Sequence, residues 1–533
     1  MDKKTADLPK KKLLEKMELQ EKQIMELTEK VNFYEEQIRE ARKQRFGRKT
    51  EQVPKEQLSF MGLLFNEAEA LYDQPTENTT EDKNEQSKRK HGQNAKHITR
   101  GIIEIVRTVE HKLDTYLCDK CGGPIKVIDN ELVFREIIYI PGHYEMVLHT
   151  QEVGVCQHCN DMREDKYDEN GFVKAKLPNR ILPKSTASPS LLAKIINDKY
   201  SKSLPLYRQE KEYEEKGLDL TRQTMSNWII RLNELYLEKI VEHMRKRMMQ
   251  SKLILVDETP VETIHHPDKE PSKNNSYMWV ARTGPLETIP VVIYQYEKGR
   301  NYIFAQEILK GYENMVQADG YQAYDQLSNE RIGCWSHLRR KFVESLDAMP
   351  SGVKKEETNA FTLRVMIDKM FSLENKVKNK SAEERKAFRM EKTKEIMDEF
   401  FEKVHSLSEI LEVAPTTQKF KTAIEYAINQ EESVRKVLEH GEADFSSNAV
   451  ERVIRNFTIG RSNWMFFNTV SGGQASASIY SIIVTAKENG LKSYNYLEYL
   501  FSKLPDVDMD DEESLEKLMP WYEGLPENIK RRK

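Results

Sequence analysis

Asp257 closes the apolar run LILVDET, and Asp319 closes the run NMVQADG. Both acids therefore stand at or just after strand ends, where a mixed sheet can hold two carboxylates close together. Such a pair offers hard oxygen ligands to Mg2+ or Mn2+. A third acid would complete a two-metal site, and the helical stretch SSNAVERVIRNFTIGR offers Glu451. Asn448, Glu451 and Arg455 fall on one helical face. Val450, Val453, Ile454 and Phe457 form the apolar stripe that docks this helix. With 87 Asp+Glu in the chain, any three acids can be chosen by chance. The informative part is that apolar strands deliver two of them and a polar-faced helix the third.

The acids need a frame. Residues 253–342 alternate apolar strands with short helical stretches, an α/β signature. Three strands, a helix, a strand, a short helix and a strand is the order of a ribonuclease-H-like core. Cations should surround such a site. Arg339, Arg340 and Lys341 follow the fifth strand, and Arg452, Arg455 and Arg461 lie near Glu451, so these and Asn448 are candidate phosphate contacts. Cys334 and His337 make a CxxH after the second Asp. A metal there would lack two ligands, so the pair reads as packing or DNA-positioning residues.

The other four of the five cysteines form two knuckles, Cys118-x-x-Cys121 and Cys156-x-x-Cys159. Gly122 and Gly123 supply the tight turn after the first. Four thiolates in this pairing suit structural Zn2+. Redox chemistry would need only one such pair. His158, inside the second knuckle, reads as a bystander.

A helix-turn-helix is predicted next. Ser188 and Pro189 open one helix, Gly217 stops a second, and Thr221 caps a third. The first turns of the third helix present Arg222, Gln223, Thr224, Ser226 and Asn227, which can bond phosphates and base edges. Met225, Trp228, Ile229 and Leu232 face inward. The bland alternative is a helical hairpin that binds nothing.

At the N-terminus, Met17, Ile24, Val31 and Ile38 form one heptad seam. Leu13, Leu27, Tyr34 and Ala41 form another, broken by Gln20. This predicts a coiled coil and a homo-oligomer. Arg45, Arg48 and Lys49 belong to a basic arm that follows it, suited to phosphate.

The resulting organisation is a coiled coil over 1–45 with the arm to 50, a linker over 51–100, and a β-rich zinc-binding region over 101–180. A helix-turn-helix domain over 185–248 follows. The core then spans 250–345 and 441–500, split by a helical insertion over 346–440, with a C-terminal tail over 501–533 whose acidic stretch 506–513 is an exposed joint. The fold class is multi-domain α/β. The chain has 533 residues with 83 Lys+Arg against 87 Asp+Glu, so its net charge of −4 gives no global sign of a polyanionic partner. Any such surface must be local. Five cysteines exclude a disulfide scaffold at this length, and no apolar run is long enough to span a bilayer. A soluble intracellular protein is expected.

Several longer segments are distinctive: QRFGRKTEQ, CDKCGG, LLAKIINDKYSKSLPLYRQ, VDETPV, QADGYQAYDQL, CWSHLRRKF, SSNAVERVIRNFTIGRSNWMFF and GGQASASIYSIIVTAKENGL. In this order, over about 45–525, the sequence resembles a DDE transposase of the insertion-sequence family sixty-six, TnpC type. The resemblance implies that Asp257, Asp319 and Glu451 are the catalytic triad. It implies a bacterial insertion-sequence transposase that binds terminal inverted repeats and target DNA. Its activity would be divalent-metal-dependent strand cleavage and 3′-hydroxyl strand transfer, with Mg2+ or Mn2+ catalytic and Zn2+ structural. Cytoplasmic, nucleoid-associated placement and accessory transposition proteins are implied as well. The sequence departs from the family pattern at Ser446-Ser447-Asn448, at Ser462 within GRSNW, and at Glu258, where a second Asp is common. Asp257 matches the pattern and ends the strand. The alternatives are a non-catalytic DNA-binding regulator derived from a transposase, and a nuclease without strand transfer. The presence of all three acids disfavours the first.

Overall fold

The computed structural model describes residues 105–140, 142–156, 172–266, 275–349, 354–411 and 417–531. The coiled coil, basic arm and linker expected over 1–100 lie outside the described residues, and so do Arg45, Arg48, Lys49 and Cys159.

Runs rich in Val, Ile and Tyr build the first sheet. Strand β1 (Ile105–His111) runs parallel to β3 (His143–Cys156), while β2 (Ile125–Ile140) and β4 (Phe172–Lys174) pair with β3 antiparallel. Leu113, Cys118, Ile125, Cys156 and Ala175 form a small core of their own. Ile137, Tyr144 and Met146 instead join the main core together with the helices that follow. The segments read as a zinc region and a helix-turn-helix domain therefore share a core.

Helix α1 (Pro189–Tyr200) begins at Ser188, whose Oγ accepts from the Leu191 N–H at 3.1 Å. Helix α2 (Leu206–Glu215) gives way to Gly217 at φ 77°, a conformation that favours glycine. Helix α3 (Arg222–Leu232) is capped by Thr221 Oγ1, which accepts from the Thr224 N–H at 3.2 Å. Its apolar side buries Met225, Ile229 and Leu232. A π-helical turn over Asn233–Leu237 carries it into α4 (Glu238–Met248).

The second sheet comprises β5 (Leu253–His265), β6 (Asn275–Thr283), β7 (Val292–Glu297), β8 (Met315–Gln317) and β9 (Arg331–Ile332). Helices α5 (Tyr302–Ile308), α6 (Gln322–Asp325) and α7 (Trp335–Asp347) are interleaved with its later strands. The strand order is β7-β6-β5-β8-β9. The β5–β6–β7 pairs are antiparallel, and β5, β8 and β9 run parallel. This matches the order expected of a ribonuclease-H-like core. Leu253 to Val256 are all buried, so β5 is the central strand that the apolar run predicts.

The insertion is helical: α8 (Asn359–Val377), α9 (Ala382–Phe388), α10 (Lys394–Leu411) and α11 (Gln418–Arg435). It packs on α7 through Trp335, Phe342, Phe400 and Phe401. Arg385 and Arg389 are fully buried beside Glu374. Arg389 donates to the carbonyls of Val437, His440 and Ala443 at 2.9, 3.0 and 2.7 Å. Arg385 donates to Ala443 O and to Asp444. The insertion thereby grips the loop that leads back into the core.

Helix α12 (Asn448–Trp464) follows that loop, then β10 (Phe466–Thr469), which pairs with the outer half of β5, then α13 (Val470–Glu488), α14 (Ser493–Lys503) and α15 (Glu512–Glu516). Ser481 and Thr485 on α13 accept from the N–H groups of Tyr294 and Val292 at 2.8 and 2.9 Å, covering the outer edge of β7.

The segment expected to be a C-terminal tail is packed instead. Leu504, Leu515, Leu518, Met519, Leu525 and Ile529 are buried. Its acids pair with one side of α4: Asp510 with Lys239, Glu512 with Lys246 and Glu516 with His243. The acids of 506–513 are themselves exposed, as their number suggests, while spaced leucines on either side and complementary charge on α4 hold the segment down. No helix among the described residues is long and apolar enough to cross a membrane.

Candidate active site

Asp257 does not end its strand as the apolar run suggested: β5 continues to His265, because Thr259 to Glu262 still pair with β6. Asp257 follows the buried Leu253–Val256, and its Oδ1 accepts from the Glu258 N–H at 2.8 Å. Strand β8 lies beside β5 and ends two residues before Asp319, whose Oδ1 accepts from the Tyr321 N–H at 3.0 Å. Glu451 lies in the first turn of α12. Its Oε1 is 3.6 Å from His337 Nε2, and its Oε2 is 3.6 Å from an Arg340 terminal nitrogen.

The electrostatics link these groups. Burial, with Glu258 and Asp319 nearby, raises the Asp257 carboxyl to about 7. His337 opposes that rise. Burial disfavours a charged His337, yet Cys334, Asp319 and Glu451 together raise its ring to about 9. His337 thus lies within electrostatic reach of all three acids and 3.6 Å from Glu451.

Cys334 is buried, and burial disfavours its thiolate, but His337 and Ser447 hold its thiol below the ordinary value. The Ser447 N–H and hydroxyl both donate to Cys334 Sγ at 3.2 Å. The CxxH therefore packs at the start of the Glu451 helix and reaches the acids through its histidine.

Glu258 has a different role from its neighbour. Its side chain is 1% exposed, and its two oxygens are taken by Arg300 and by the Tyr324 hydroxyl. Burial raises its carboxyl. Both Tyr324 and Arg300 were passed over in the sequence, although Tyr324 stands in the distinctive run QADGYQAYDQL. Gly320 abuts Tyr426 and Gln430 of α11: a Cβ there would come within 2.8 Å of both. The insertion therefore touches the Asp319 turn as well.

The predicted cations separate into two groups. Arg452 and Arg455 are exposed on α12, and Arg340 faces Glu451. Arg339 is instead paired with Asp368 of the insertion, and Lys341 lies over the Tyr426 ring. Arg461 donates to Thr259 Oγ1 at 3.0 Å and to Pro260 O, so it ties α12 to β5. Asn448 is exposed and lines a cleft with Ser336, Arg339 and Asn375. On α3, Gln223 and Asn227 are exposed, whereas Arg222, Thr224 and Ser226 are half-buried, with Thr224 engaged at the helix cap.

Cys118, Cys121 and Cys156 bring their sulfurs within 4.8 Å of one another. Among the described residues no other three metal-ligating side chains close so tightly, so the three acids stand further apart than the thiols. Backbone donors at Lys120 and Cys121 lower the Cys118 thiol to about 6. Gly122, at φ 68°, makes the knuckle turn, its N–H donating to Cys118 O at 2.7 Å.

Family comparisons agree in order with these elements. The description "Transposase IS66 family" matches residues 184–475, from the approach to α1 through the Glu451 helix to the start of α13. This chain belongs to the IS66 transposase family. "IS66 C-terminal element" matches 481–521, the packed segment on α4 included. "Transposase C of IS166 homeodomain" matches 34–100 of this IS66 chain, a span that composition assigned mostly to a linker. Only 73–100 is poor in large apolar residues; 51–72 holds Leu58, Phe60, Met61, Leu63, Leu64 and Phe65. Relatives in Sinorhizobium fredii (strain NBRC 101917 / NGR234) are the uncharacterized proteins y4qI and y4jD. The first is 28% identical over 79% of this chain and 77% of its own. The second is 26% identical over 66% and 69%. The solved Drosophila P element transposase strand transfer complex matches at 13% identity with a TM-score of 0.32, over 56% of this chain and 92% of that one. That likeness is too remote to bear on the IS66 fold.

Proposed function

We propose that this chain is an active DDE transposase of a bacterial insertion sequence. It binds the element's terminal inverted repeats, cleaves a strand at each end, and joins the freed 3′-hydroxyl to target DNA. The observation that carries this reading is the arrangement of Asp257, Asp319 and Glu451 around one histidine, His337, beside the central strand of the sheet.

Asp257, Asp319 and Glu451 would hold the divalent cations, Mg2+ or Mn2+. The donors fit: all are carboxylate oxygens, Asp257 is crowded by negative charge, and Glu451 Oε1 is buried without a hydrogen-bond partner. Bound cations of this kind polarise the scissile phosphodiester and activate the attacking oxygen. His337 and Arg340 fix the Glu451 carboxylate between them. Glu258 is committed to Arg300 and Tyr324, which leaves Asp257 as the strand's ligand. Arg452 and Arg455 contact backbone phosphates, while Gln223 and Asn227 on α3 reach base edges. Cys118, Cys121, Cys156 and Cys159 would hold zinc as a staple for the small core around them. The N-terminal heptads pair two copies on the DNA, in the bacterial cytoplasm at the nucleoid, with accessory transposition proteins.

The test is incubation with labelled element-end DNA and Mn2+. Asp257→Ala, Asp319→Ala and Glu451→Ala should each lower nicking and joining by about a thousandfold or more while end binding persists. Cleavage retained in any one of them removes that residue from the triad. Binding without cleavage by the native chain would instead favour the regulator.

A further inference from the structure

We propose that the distal end of α12 is a DNA wedge, in which Ile459 and Met465 press between bases at separate steps a short way from the cleaved phosphodiester. The inference rests on the transposase reading and adds to it a surface that neither metal binding nor phosphate contact requires.

Arg452, Arg455, Ile459 and Ser462 are all exposed and recur at helical spacing, so they share one face of α12. The opposite side is buried through Val453, Phe457 and Gly460, and Gly460 lies so close to α13 that a Cβ would meet the Tyr480 hydroxyl at 2.3 Å. The face begins one residue after Glu451, so it is continuous with the candidate active site. At about 1.5 Å per residue, Ile459 and Met465 stand about 12 and 21 Å along the helix from Glu451. At about 3.4 Å per nucleotide, that is about three to six base steps.

Polar groups along the distal stretch are spent on the helix itself. Thr458 Oγ1 donates to Arg455 O at 3.2 Å, Ser462 Oγ to Thr458 O at 2.9 Å, and Asn463 Nδ2 to Ile459 O at 3.1 Å. The exposed cations of this face, Arg452 and Arg455, lie at the catalytic end; at the distal end Arg461 is turned to β5, and Ile459 and Met465 are 52% and 53% exposed.

A lone exposed apolar side chain is ordinary. The Met465 backbone is not. It adopts φ 64° and ψ −51°, a conformation that costs a non-glycine residue about 1–3 kcal/mol. Glycine would turn this corner without strain. The corner is held by the Met465 N–H donating to Arg461 O at 2.7 Å, and by the immediate start of β10, whose Phe466 is in register with Glu262. The strain thus presents a flexible thioether to solvent rather than to the core. Apolar side chains flanked by cations are the means by which proteins unstack and kink a duplex. The exposed arginines on the same face make a polyanion the fitting occupant.

The test uses the full chain in Ca2+ with a nicked duplex at low salt, where phosphate contacts suffice for binding. 2-Aminopurine is placed in turn at each step about three to six nucleotides from the nick, the span set by the helix rise. The native chain should raise emission several-fold at one or two of these steps. Met465→Gly combined with Ile459→Ser should remove most of that rise while binding, read by anisotropy, changes little. Met465→Gly relieves the backbone strain, so its melting temperature should hold or rise, and loss of signal then does not report misfolding. A rise that persists in the double variant, or binding by the native chain without any rise, overturns the wedge. If the native chain nicks DNA in Mn2+ yet leaves the probe dark, the wedge alone fails. If it neither binds nor nicks, the transposase reading fails with it.

Discussion

Cys334 accepts two hydrogen bonds from Ser447, one from its N–H and one from its hydroxyl, both at 3.2 Å. Ser447 immediately precedes α12, and its side chain gives that helix no cap of its own. The sulfur therefore sets where the Glu451 helix begins, and His337, three residues on from Cys334, meets Glu451 one turn later. Cys334→Ala should cost about 1–3 kcal/mol by leaving two buried donors without an acceptor. Nicking should slow while DNA affinity stays the same. Cys334→Ser keeps an acceptor and should recover most of both losses. Equal urea midpoints for Cys334→Ala and the native chain would refute the anchoring role.

Asp257 titrates near 7 in the fold, above its ordinary carboxylate range, because of burial and its acidic neighbours. A raised carboxyl means that the folded state holds the proton more tightly than the unfolded one. The folded state therefore loses stability as pH rises from about 4 through 7. In the presence of chelator, Asp257→Asn should be more stable than the native chain at pH 8, by on the order of 1–3 kcal/mol. The gap should close as pH falls towards 4. Thermal melts across that range decide it, and a gap independent of pH would count against the assignment.

The three clustered thiols predict a metal-dependent melt. Structural zinc contributes on the order of 10 kcal/mol in small domains. Cys118→Ser should release the metal, measured as zinc per chain, and loosen the region around Leu113, Ile125 and Ala175. Hydrogen exchange should rise there first. Full zinc removal with unchanged exchange would exclude a staple.

Arg389 and Arg385 share Glu374 inside the insertion. Arg389→Met should destabilise the chain by about 3–5 kcal/mol, the usual cost of stranding one partner of a buried pair. Limited proteolysis should then open the 437–447 connection before other sites. Cleavage that begins elsewhere would show that the loop is held by other contacts.

The strands of the core were legible because Leu253 to Val256 and the run at 289–296 are apolar beyond any surface need. Asp257 and Asp319 were legible for the same reason, since apolar runs end on them. The Cys334 anchor and the Glu258 clamp were not, because their partners, Ser447 and Tyr324, lie far off in sequence and have no periodicity. The protein partners of Arg461 and Arg339 were not legible either. A guanidinium reads as surface charge in one dimension, whereas here Arg461 bonds β5 and Arg339 an insertion carboxylate. The packing of the C-terminal segment was hidden for a related reason: its leucines are sparse and its partners on α4 are remote in sequence, although the exposure of its acids at 506–513 was legible.

Ser481 and Thr485 occupy the outer edge of β7, and beyond β9 the Gly333 N–H is already bonded to Ser433 O of α11. Among the described residues, α13 side chains thus cover the margin beyond β7, and the first backbone donor past β9 is already taken. Both margins discourage an added strand, so a second copy would have to meet this one through side-chain surfaces.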